Sequence, residues 1–556
     1  MNHKWMAYLV VVVLLIPLVS CGSAAAPLPA APTSASARVE VLRLEGGNAG
    51  LPTPFLWSKG SGLAYMTLLF DTLIWKDGTG DFIPWLATSW ESSADGLTWT
   101  FHLREGVKWH DGQPLTADDV AFTYRYVNRP GLTYTGRVEI LPVLKQMTVE
   151  QVDASTVRIT LGAPYAPFLR NVIGNVPIIP RHIWEGVEDP KKFTEEAALV
   201  GTGAYRMTAY DKAEGSYLFE ANDDFWLGPP YVKRIEVVPV GDVALALKQG
   251  EVHGAGMSLG PDATEEVLAT FREDPRFGEI NGPGDANTVL YFNMERGVPF
   301  SDRTFRQAVS YALDLQTMVD QVILGDGLPG LPGQLPPSNP WMNPDAPAHV
   351  YDRAKATALL EEAGYLDTDG DGVRQTPDGE ALRFELTYNN ANHREAEMIQ
   401  SWLKPVGIVL DLRAVDGTTC DQITSEGKYE LALVSFGGRG ADADTLRTLF
   451  SSQGKSGGFA RVFGYKNENF DEVAAKQVGL LDEEARRELV YEMQLILAED
   501  VPSIPLYYPN YRFVFDRTVL DAWYYTPGGF ASGCPNSYNK HLFITGQQTG
   551  LAIRGQ

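Results

Sequence analysis

The pattern of apolar and polar positions predicts strands alternating with helices along most of the chain. Residues 98–103 combine β-branched and aromatic side chains in near-alternation, which favours a half-buried strand. From Leu63 onward, apolar residues recur at the spacing of one helix face. The other predicted strands are 39–44, 147–152, 156–161, 232–238, 384–388, 409–414 and 431–436, and the other predicted helices are 117–127, 242–250, 305–314, 352–363, 394–404, 467–478 and 483–500. This alternation indicates an α/β fold class.

Residues 84–124 are the most densely patterned stretch and predict two strands, tight turns and the start of a helix. The turn at 110–112 ends in glycine, which adopts a positive φ at little cost. Thr116 is the predicted N-cap, and Asp118 and Asp119 lie in the first turn, where the helix dipole favours negative charge. We interpret this stretch as scaffold rather than catalytic chemistry.

The N-terminal segment predicts export. Lys4 precedes the apolar run 7–19, which is too short to span a bilayer comfortably, so residues 1–21 read as a signal peptide. Its last residues, Leu-Val-Ser-Cys21, resemble the lipobox of bacterial lipoproteins, in which the cysteine is lipidated and becomes the first mature residue. The alternative is an ordinary signal peptide with a chance cysteine. The Ala/Pro/Ser-rich residues 22–38 predict a flexible tether.

A lipid anchor followed by a tether places the globular part on the outer face of the cytoplasmic membrane, in the periplasm where the cell has an outer membrane. In that compartment Cys420 and Cys534 are permitted to form a disulfide, and two separate buried thiols are the alternative.

Size and charge narrow the class of protein further. A chain of 556 residues suggests three or four domains at roughly 150 residues each. The net charge of −24, from 70 acidic and 46 basic residues, argues against nucleic acid as a partner, because phosphates require a positive surface. A solvated, soluble surface accounts for the acidity.

Four stretches of the chain together resemble one large family. Residues 84–124 carry P-x-L-A-x-S-W, T-x-x-F-x-L-R-x-G-V-K-W-H-D-G and L-T-A-D-D-V-x-F-T, and residues 201–206, 222–237 and 290–314 carry further patterns of the same family. They are similar to the extracytoplasmic solute-binding proteins of peptide/nickel-type ABC importers, whose best-known members bind oligopeptides or dipeptides.

The resemblance implies a two-lobed, periplasmic-binding-protein-like fold (type II, large cluster C-like) with an extra third scaffold domain. Lobe I is expected to comprise residues 39–58, 200–285 and 506–556, the inserted scaffold domain residues 59–199, and lobe II residues 286–505. The implied function is capture rather than catalysis: a monomer without a functional cofactor encloses a peptide between the lobes and delivers it to the permease subunits.

Two other functions are weighed against peptide capture. An oligosaccharide is the alternative solute, because the family includes sugar binders. A lipid-anchored cell-wall hydrolase is a distant alternative, since H-E-x-x-H does not occur in the sequence.

The resemblance also indicates where the ligand binds. Residues 436–444 match a W-x-A-D-Y segment of peptide-binding members, whose aspartate takes the peptide α-ammonium, and Asp442 is the matching position. Arg439 stands roughly where the tryptophan is expected, and Asp444 follows two residues after Asp442. A carboxylate in a desolvated cleft pairs more strongly with an ammonium than it does in water. The alternative is that Asp442 or Asp444 caps a helix at 445–450.

Aromatic residues supply a second set of ligand candidates. Their faces can stack on sugars or on aromatic side chains, and packing in the core or in loops is the alternative for each. The candidates are Trp57, Tyr134, Trp341 and Trp523.

Residues 367–378 resemble the calcium loop of an EF-hand, with oxygens at positions 1, 3 and 5 and a glycine at position 6. The expected ligands are Asp367, Asp369, Asp371, the carbonyl of Val373, Gln375 and Asp378. The loop departs from the pattern, because Asp378 replaces the usual glutamate and Pro377 precedes it. A structural Ca²⁺ is therefore weighed against a metal-free acidic turn.

Overall fold

The computed structural model describes residues 38–57, 59–76, 81–129, 132, 141–257, 264–284, 287–436, 442–452, 464–521, 523 and 540–546. Helices and strands alternate through this part of the chain. The helices are α1 (Lys59–Leu69), α2 (Ala117–Val127), α3 (Leu141–Lys145), α4 (Arg181–Trp184), α5 (Val243–Gln249), α6 (Glu265–Arg272), α7 (Arg303–Ala312), α8 (Leu315–Val322), α9 (Arg353–Glu362), α10 (His393–Leu403), α11 (Gly417–Ser425), α12 (Asp444–Phe450), α13 (Glu468–Gln477), α14 (Glu483–Asp500) and α15 (Lys540–Thr545).

The strands are β1 (Leu42–Glu45), β2 (Ile74–Lys76), β3 (Phe82–Pro84), β4 (Ala87–Ser92), β5 (Thr98–Leu103), β6 (Thr148–Gln151), β7 (Thr156–Thr160), β8 (Tyr205–Asp211), β9 (Ser216–Ala221), β10 (Arg234–Val238), β11 (Gly254–Gly256), β12 (Phe277–Pro283), β13 (Asn287–Phe292), β14 (Gly327–Pro329), β15 (Arg383–Asn389), β16 (Val409–Val415), β17 (Leu431–Phe436) and β18 (Ser503–Asp516). β5 and α2 have the bounds that the sequence pattern predicts.

These strands form three sheets in the described residues. Twelve strands make one sheet in the order β16-β15-β17-β13-β18-β11-β1-β10-β9-β8, with β12 and β14 also paired to β18. A second sheet is antiparallel, in the order β4-β5-β7-β6, and β2 pairs with β3. We refer to strands β1 and β8–β12 with helices α5 and α6 as lobe I, to the chain from β13 to α14 as lobe II, and to residues 59–199 as the scaffold segment.

Two motifs that are distant in the sequence contact each other and fix the scaffold segment on lobe I. The backbone N–H of Gly201 donates to Nδ1 of His110 at 3.2 Å, and Nε2 of His110 donates to the carbonyl of Gly203 at 2.9 Å. Burial lowers the pKa of His110 to about 4, so the imidazole is neutral at physiological pH. Gly201 and Gly203 lie directly against the backbone of Leu69 and leave no room for a Cβ.

The apolar cores do not follow the boundaries of the sheets: the scaffold segment and lobe I share one core, whereas lobe II has a separate one. One core is continuous from the scaffold sheet, through Phe101 and Val157, to lobe I, through Leu42 and Ile235. A separate core in lobe II surrounds side chains of β13, β15 and β17 and includes Leu386. Because the scaffold segment shares its buried surface with lobe I, separating the two would expose the largest core to water.

Among the described residues, the chain crosses between the lobes at two places. One is the short link from β12 to β13, and the other is β18, which runs without a break for 14 residues. The first part of β18 pairs with β13, and its second part pairs with β12 and β11. Where the two parts meet, the N–H of Asn510 donates to the carbonyl of Asp326 at 2.9 Å, and the N–H of Gly284 donates to that of Pro509 at 3.0 Å.

Candidate ligand-binding site

The strand directions place two carboxyl edges opposite each other. β18 runs from lobe II into lobe I. β17 is antiparallel to β13, which is antiparallel to β18, so β17 and its parallel neighbour β15 end towards lobe I. β11 is antiparallel to β18 and parallel to β1, so β1 and β10 end towards lobe II. Ligands of α/β sheets bind beyond the carboxyl ends of the strands, which makes the space between these edges the candidate site.

The lobe II edge carries a chain of hydrogen bonds centred on Glu395, in the first turn of α10. The Tyr507 hydroxyl donates to Glu395 Oε1 at 2.6 Å, and the amide of Asn392 donates to the same oxygen at 3.1 Å. Thr288 donates to the Tyr507 hydroxyl at 3.2 Å, and Ser435 donates to Asn392 at 3.3 Å. Burial and the neighbouring Glu395 raise the pKa of Tyr507 well above its ordinary value, so it remains a hydroxyl donor.

This network links β18, which crosses between the lobes, to the surface of the candidate site. Tyr507 lies on β18, whereas Ser435, at the end of β17, is exposed. Sequence reasoning did not select Glu395 or Tyr507. The polar run Asn389–His393 directly after a predicted strand is the signal that could have indicated this edge.

The lobe I edge is a loop that follows Glu45 and is held by tyrosines. The Tyr217 hydroxyl accepts the N–H of Ala49 at 2.9 Å and donates to the carbonyl of Gly50 at 2.8 Å. The Glu45 side chain reaches solvent, yet the surrounding protein desolvates it enough to raise its pKa. Trp57 pairs with Gly50 through an isolated bridge, is partly buried, and has an indole N–H without a hydrogen-bond partner among the described residues. Its ligand role stays a prediction.

Asp442 is not available as an ammonium anchor, which corrects the expectation from the sequence. The guanidinium of Arg486 donates to both of its oxygens, at 2.9 and 2.5 Å, and the N–H of Asp444 at the start of α12 donates to Oδ1 at 2.8 Å. Burial opposes ionisation of Asp442, but Arg486 outweighs it and lowers the pKa. Oδ1 of Asp442 thus accepts an N–H at the start of α12, although the N-cap position itself is Ala443.

Asp444 is also engaged inside the protein. It is 1 % exposed and accepts from the Tyr165 hydroxyl at 3.0 Å and from Arg447 at 2.5 and 2.9 Å. Tyr165 belongs to the scaffold segment, and the neighbouring N–H of Ala166 donates to the carbonyl of Val478 at 2.7 Å. Asp444 therefore joins lobe II to the scaffold segment, and the prediction that it binds the ligand is wrong.

The structure brings Asp442 and Trp341 together at a cavity of 680 Å³. Its walls come from the scaffold segment, including Phe82 and Trp99, and from lobe II. Trp341 is 7 % exposed, and the guanidinium groups of Arg486 and Arg487 each lie over its ring, 4.7 Å from the ring centre. This cavity faces the scaffold segment rather than the lobe I edge.

Trp523 is a core residue, so its prediction as a ligand contact is wrong. It is 2 % exposed, its ring lies 4.6 Å from that of Phe513 and 5.5 Å from that of Phe543, and its indole N–H donates to the carbonyl of Leu520 at 3.1 Å. Its burial leaves no ring face for a solute.

Several predicted positions lie outside the described residues: Cys21, Tyr134, Arg439 and Cys534. Cys420 is buried on α11, with its Sγ 4.0 Å from the carbonyl of Leu433. A disulfide between Cys420 and Cys534 stays a prediction.

The EF-hand-like loop gathers three of its expected ligands. Carboxylate oxygens of Asp367, Asp369 and Asp371 lie within 4.8 Å of one another, and all three residues are exposed. Gln375 is turned into the loop, where its oxygen accepts from Thr368 and its amide donates to the carbonyl of Val373 at 2.8 Å. Asp378 is not part of the carboxylate group. The three aspartates have the donor type that a hard cation requires, and Ca²⁺ binding stays a prediction.

Two α/β lobes with opposed carboxyl edges and a two-crossing hinge define a two-lobed solute-binding protein. Residues 81–458 match the family of bacterial extracellular solute-binding proteins, family 5 Middle. The chain belongs to this family, which confirms the resemblance found in the sequence and makes the protein an extracytoplasmic, substrate-binding component. Within the described residues, no helix has the length and apolar character to cross a bilayer.

Individual relatives cover most of the chain. Protein XP55 of Streptomyces lividans is 32 % identical over 454 residues, which cover 80 % of this chain and 78 % of the relative. The oligopeptide-binding protein AppA of Bacillus subtilis is 28 % identical, with 93 % and 95 % covered. A solved structure of AppA in complex with a nonapeptide has a TM-score of 0.75 at 24 % identity and covers 88 % of this chain and 97 % of its own. This similarity confirms the predicted two-lobed fold.

Proposed function

We propose that this protein captures a peptide between its lobes and delivers it to the permease of an ABC importer. The observation that carries the proposal is the pair of carboxyl edges that face each other across the hinge. Family membership and the peptide-binding name of AppA, which covers almost the whole chain, support peptide over oligosaccharide as the solute.

Capture requires closure of the lobes rather than chemical change. A solute that contacts both edges binds the closed form more tightly than the open form, and this difference in affinity shifts the population towards closure. The scaffold segment moves with lobe I, because the two share one core. The described residues of lobe I and of the scaffold segment are thus expected to form one moving body and those of lobe II the other, and the Tyr165–Asp444 contact lies at the boundary between the two bodies.

The protein acts from the outer face of the cytoplasmic membrane. Lipidation of Cys21 at the lipobox, followed by the tether 22–38, keeps the lobes close to the permease. A Cys21→Ala variant is expected to lose incorporation of radiolabelled fatty acid and to leave the membrane fraction. Ser23→Ala is the matched control and is expected to retain both.

The test of peptide capture uses the chain from Gly22 onward. Its melting temperature is recorded with a pool of short peptides and with a panel of oligosaccharides, because a ligand at a hundredfold excess over Kd stabilises the folded form by about 2.7 kcal/mol. We expect a rise with peptides and none with oligosaccharides. A rise with oligosaccharides alone would reassign the solute, and no rise with either would overturn peptide capture.

A matched pair of variants locates the site. Ser435→Trp places a large side chain at the exposed end of β17, whereas Ser425→Trp places the same side chain on the exposed face of α11. We expect the first variant to abolish the peptide-dependent rise and the second to retain it. Equal responses of the two variants would contradict a site between the carboxyl edges.

A further inference from the structure

Glu45 is the last residue of β1, so it stands at the lobe I edge that is turned towards lobe II, and its side chain is exposed. The register with the parallel neighbour β10 places Val238 beside Glu45, whereas it places Glu236 beside Arg43, two residues earlier in β1. Side chains at paired positions of neighbouring strands are the ones that interact. The register therefore gives Arg43 a counter-ion and leaves Glu45 beside an apolar side chain.

The basic side chains on this part of lobe I already have partners. Nε of Arg43 donates to Glu236 at 3.1 Å, and Arg234 pairs with Glu220 at 3.1 Å. Glu45, Glu220 and Glu236 are the acidic residues of the strands β1, β9 and β10. Within the described part of the chain, Glu45 is the one of these three that forms no ion pair. The lobe I edge thus presents a carboxylate whose charge the protein does not balance.

A buried tyrosine lies near this carboxylate on its protein side. Tyr65 of α1 is 4 % exposed, and its ring is 4.8 Å from that of Tyr217. Burial, Tyr217 and the charge of Glu45 raise the pKa of Tyr65 well above its ordinary value, so the phenol stays neutral and provides no counter-charge. Burial also raises the pKa of Glu45, because the carboxylate loses water without gaining a cation. A positive group arriving from outside meets an acceptor that is already partly desolvated.

We propose, on the basis of the proposed peptide capture, that Glu45 is a specificity-determining residue that binds a positively charged group of the captured peptide. Its carboxylate oxygens accept N–H groups of an ammonium or a guanidinium, which the amino terminus or a lysine or arginine side chain supplies. Closure of the lobes removes further water from this contact and strengthens it, since charge-assisted hydrogen bonds gain in a medium of low dielectric constant. The net charge of −24 attracts cationic peptides as well.

The test uses two exposed glutamates near opposite ends of β1. Glu40, just before the strand, is 74 % exposed and pairs with Lys233, so Glu40→Gln is the matched control for Glu45→Gln. Peptides that the mature chain takes from a pool of short peptides are recovered by gel filtration and denaturation, and mass spectrometry identifies them. One recovered peptide is synthesised, and isothermal titration calorimetry gives its Kd. We expect Glu45→Gln to weaken binding at least about tenfold. Glu40→Gln is expected to change Kd less than about twofold.

Two altered forms of the same peptide identify the positive group. One form is acetylated at the amino terminus, and the other has glutamine in place of each lysine and arginine. With the wild-type chain, the form that lacks the bound cation is expected to lose at least about tenfold in affinity. With Glu45→Gln that same change is expected to cost little, because the two modifications remove one interaction and their effects are not additive. The acetylated form reports on the amino terminus, and the other form reports on side chains.

Each contrary outcome is distinct. Glu45→Gln with the wild-type Kd would overturn the proposed role of Glu45 and leave peptide capture intact, and so would additive losses for both altered peptides. Recovery of no peptide from the pool would overturn the proposed function and the role of Glu45 with it. Far-UV spectra and melting curves verify folding, and Glu45→Ala repeats the measurement at the same position if Glu45→Gln does not fold.

Discussion

Lys540 and Asp71 form a buried ion pair although they are 469 residues apart in the sequence. The Nζ of Lys540 lies 3.0 Å from Oδ1 of Asp71, and the two side chains are 2 % and 1 % exposed. Trp85 donates its indole N–H to the same oxygen of Asp71 at 2.7 Å, and Thr202 donates to the other at 2.9 Å. Lys540 also lies over the ring of Trp75 at 3.9 Å. The pair attaches α15 to the junction of the scaffold segment and lobe I.

Asp71→Asn removes the counter-ion and leaves the ammonium of Lys540 buried. We expect the free energy of unfolding to fall by about 3–5 kcal/mol, measured by urea denaturation. The exposed pair Arg38–Asp223 provides the control, since Asp223 is 68 % exposed and Asp223→Asn is expected to cost less than about 1 kcal/mol. Equal effects of the two variants would contradict the dominant role of burial.

Arg486 and Arg487 provide a matched test of the Asp442 cluster, because both stack on Trp341 but only Arg486 pairs with a buried carboxylate. Arg487 pairs with Glu483, which is 72 % exposed. We expect Arg486→Met to reduce the free energy of unfolding by about 3–5 kcal/mol and Arg487→Met to reduce it by less than about 1 kcal/mol. Urea denaturation measures both, and similar losses would show that stacking on Trp341 is what matters.

Acid is expected to destabilise the protein through its buried histidines. Burial lowers the pKa of His110 to about 4 and that of His541 to about 3, below the ordinary value of 6.5. At a pH between the folded pKa of each histidine and the unfolded value of 6.5, the unfolded chain binds more protons than the folded one. The stability that the two neutral imidazoles contribute is therefore complete above the unfolded pKa and is lost as the pH falls towards the folded pKa. At about 1.4 kcal/mol per pKa unit, His110 alone accounts for about 3 kcal/mol.

The measurement is the melting temperature as a function of pH between neutrality and about pH 4. His110→Gln cannot titrate and is expected to flatten the curve, whereas His393→Gln, at a side chain that is 59 % exposed, keeps the wild-type slope. Parallel curves for the two variants would assign the acid sensitivity to other groups.

The three aspartates of the EF-hand-like loop predict stabilisation by Ca²⁺. We expect the melting temperature to rise with CaCl₂, to fall again with a chelator, and to become insensitive to both in Asp369→Asn. Asp378→Asn serves as the comparison, because Asp378 is not part of the carboxylate group, and it is expected to retain the response. A wild-type chain that does not respond to Ca²⁺ would identify the loop as a metal-free acidic turn.

Local signals account for the parts of the fold that the sequence predicted well. Alternation defines β5, and at α2 the N–H of Thr116 donates to the Asp119 carboxylate at 2.9 Å, as the capping pattern requires. Both depend on residues a few positions apart. The two lobes, in contrast, were predicted from the resemblance of four stretches of the chain to a family, not from local signals.

The site was harder to predict, because its chemistry depends on residues distant in sequence. Nothing near Asp442 in the sequence indicates that Arg486, 44 positions later, satisfies both of its oxygens. Trp523 has the composition of a stacking residue, and only the folded chain places it against Phe513. The opposed edges follow from the order of strands around β18, which no short motif encodes.

The continuity of β18 limits how the two lobes can move. A hydrogen-bonded strand that pairs with strands of both lobes cannot slide or swivel at its centre without breaking its ladder, whereas it can bend and twist by small changes spread over several residues. The relative motion of the lobes is thereby confined to bending and twisting of this strand. Solute occupancy is then converted into a change in the relative orientation of the lobes, so a membrane partner that senses only that orientation can distinguish loaded from empty molecules without contacting the solute.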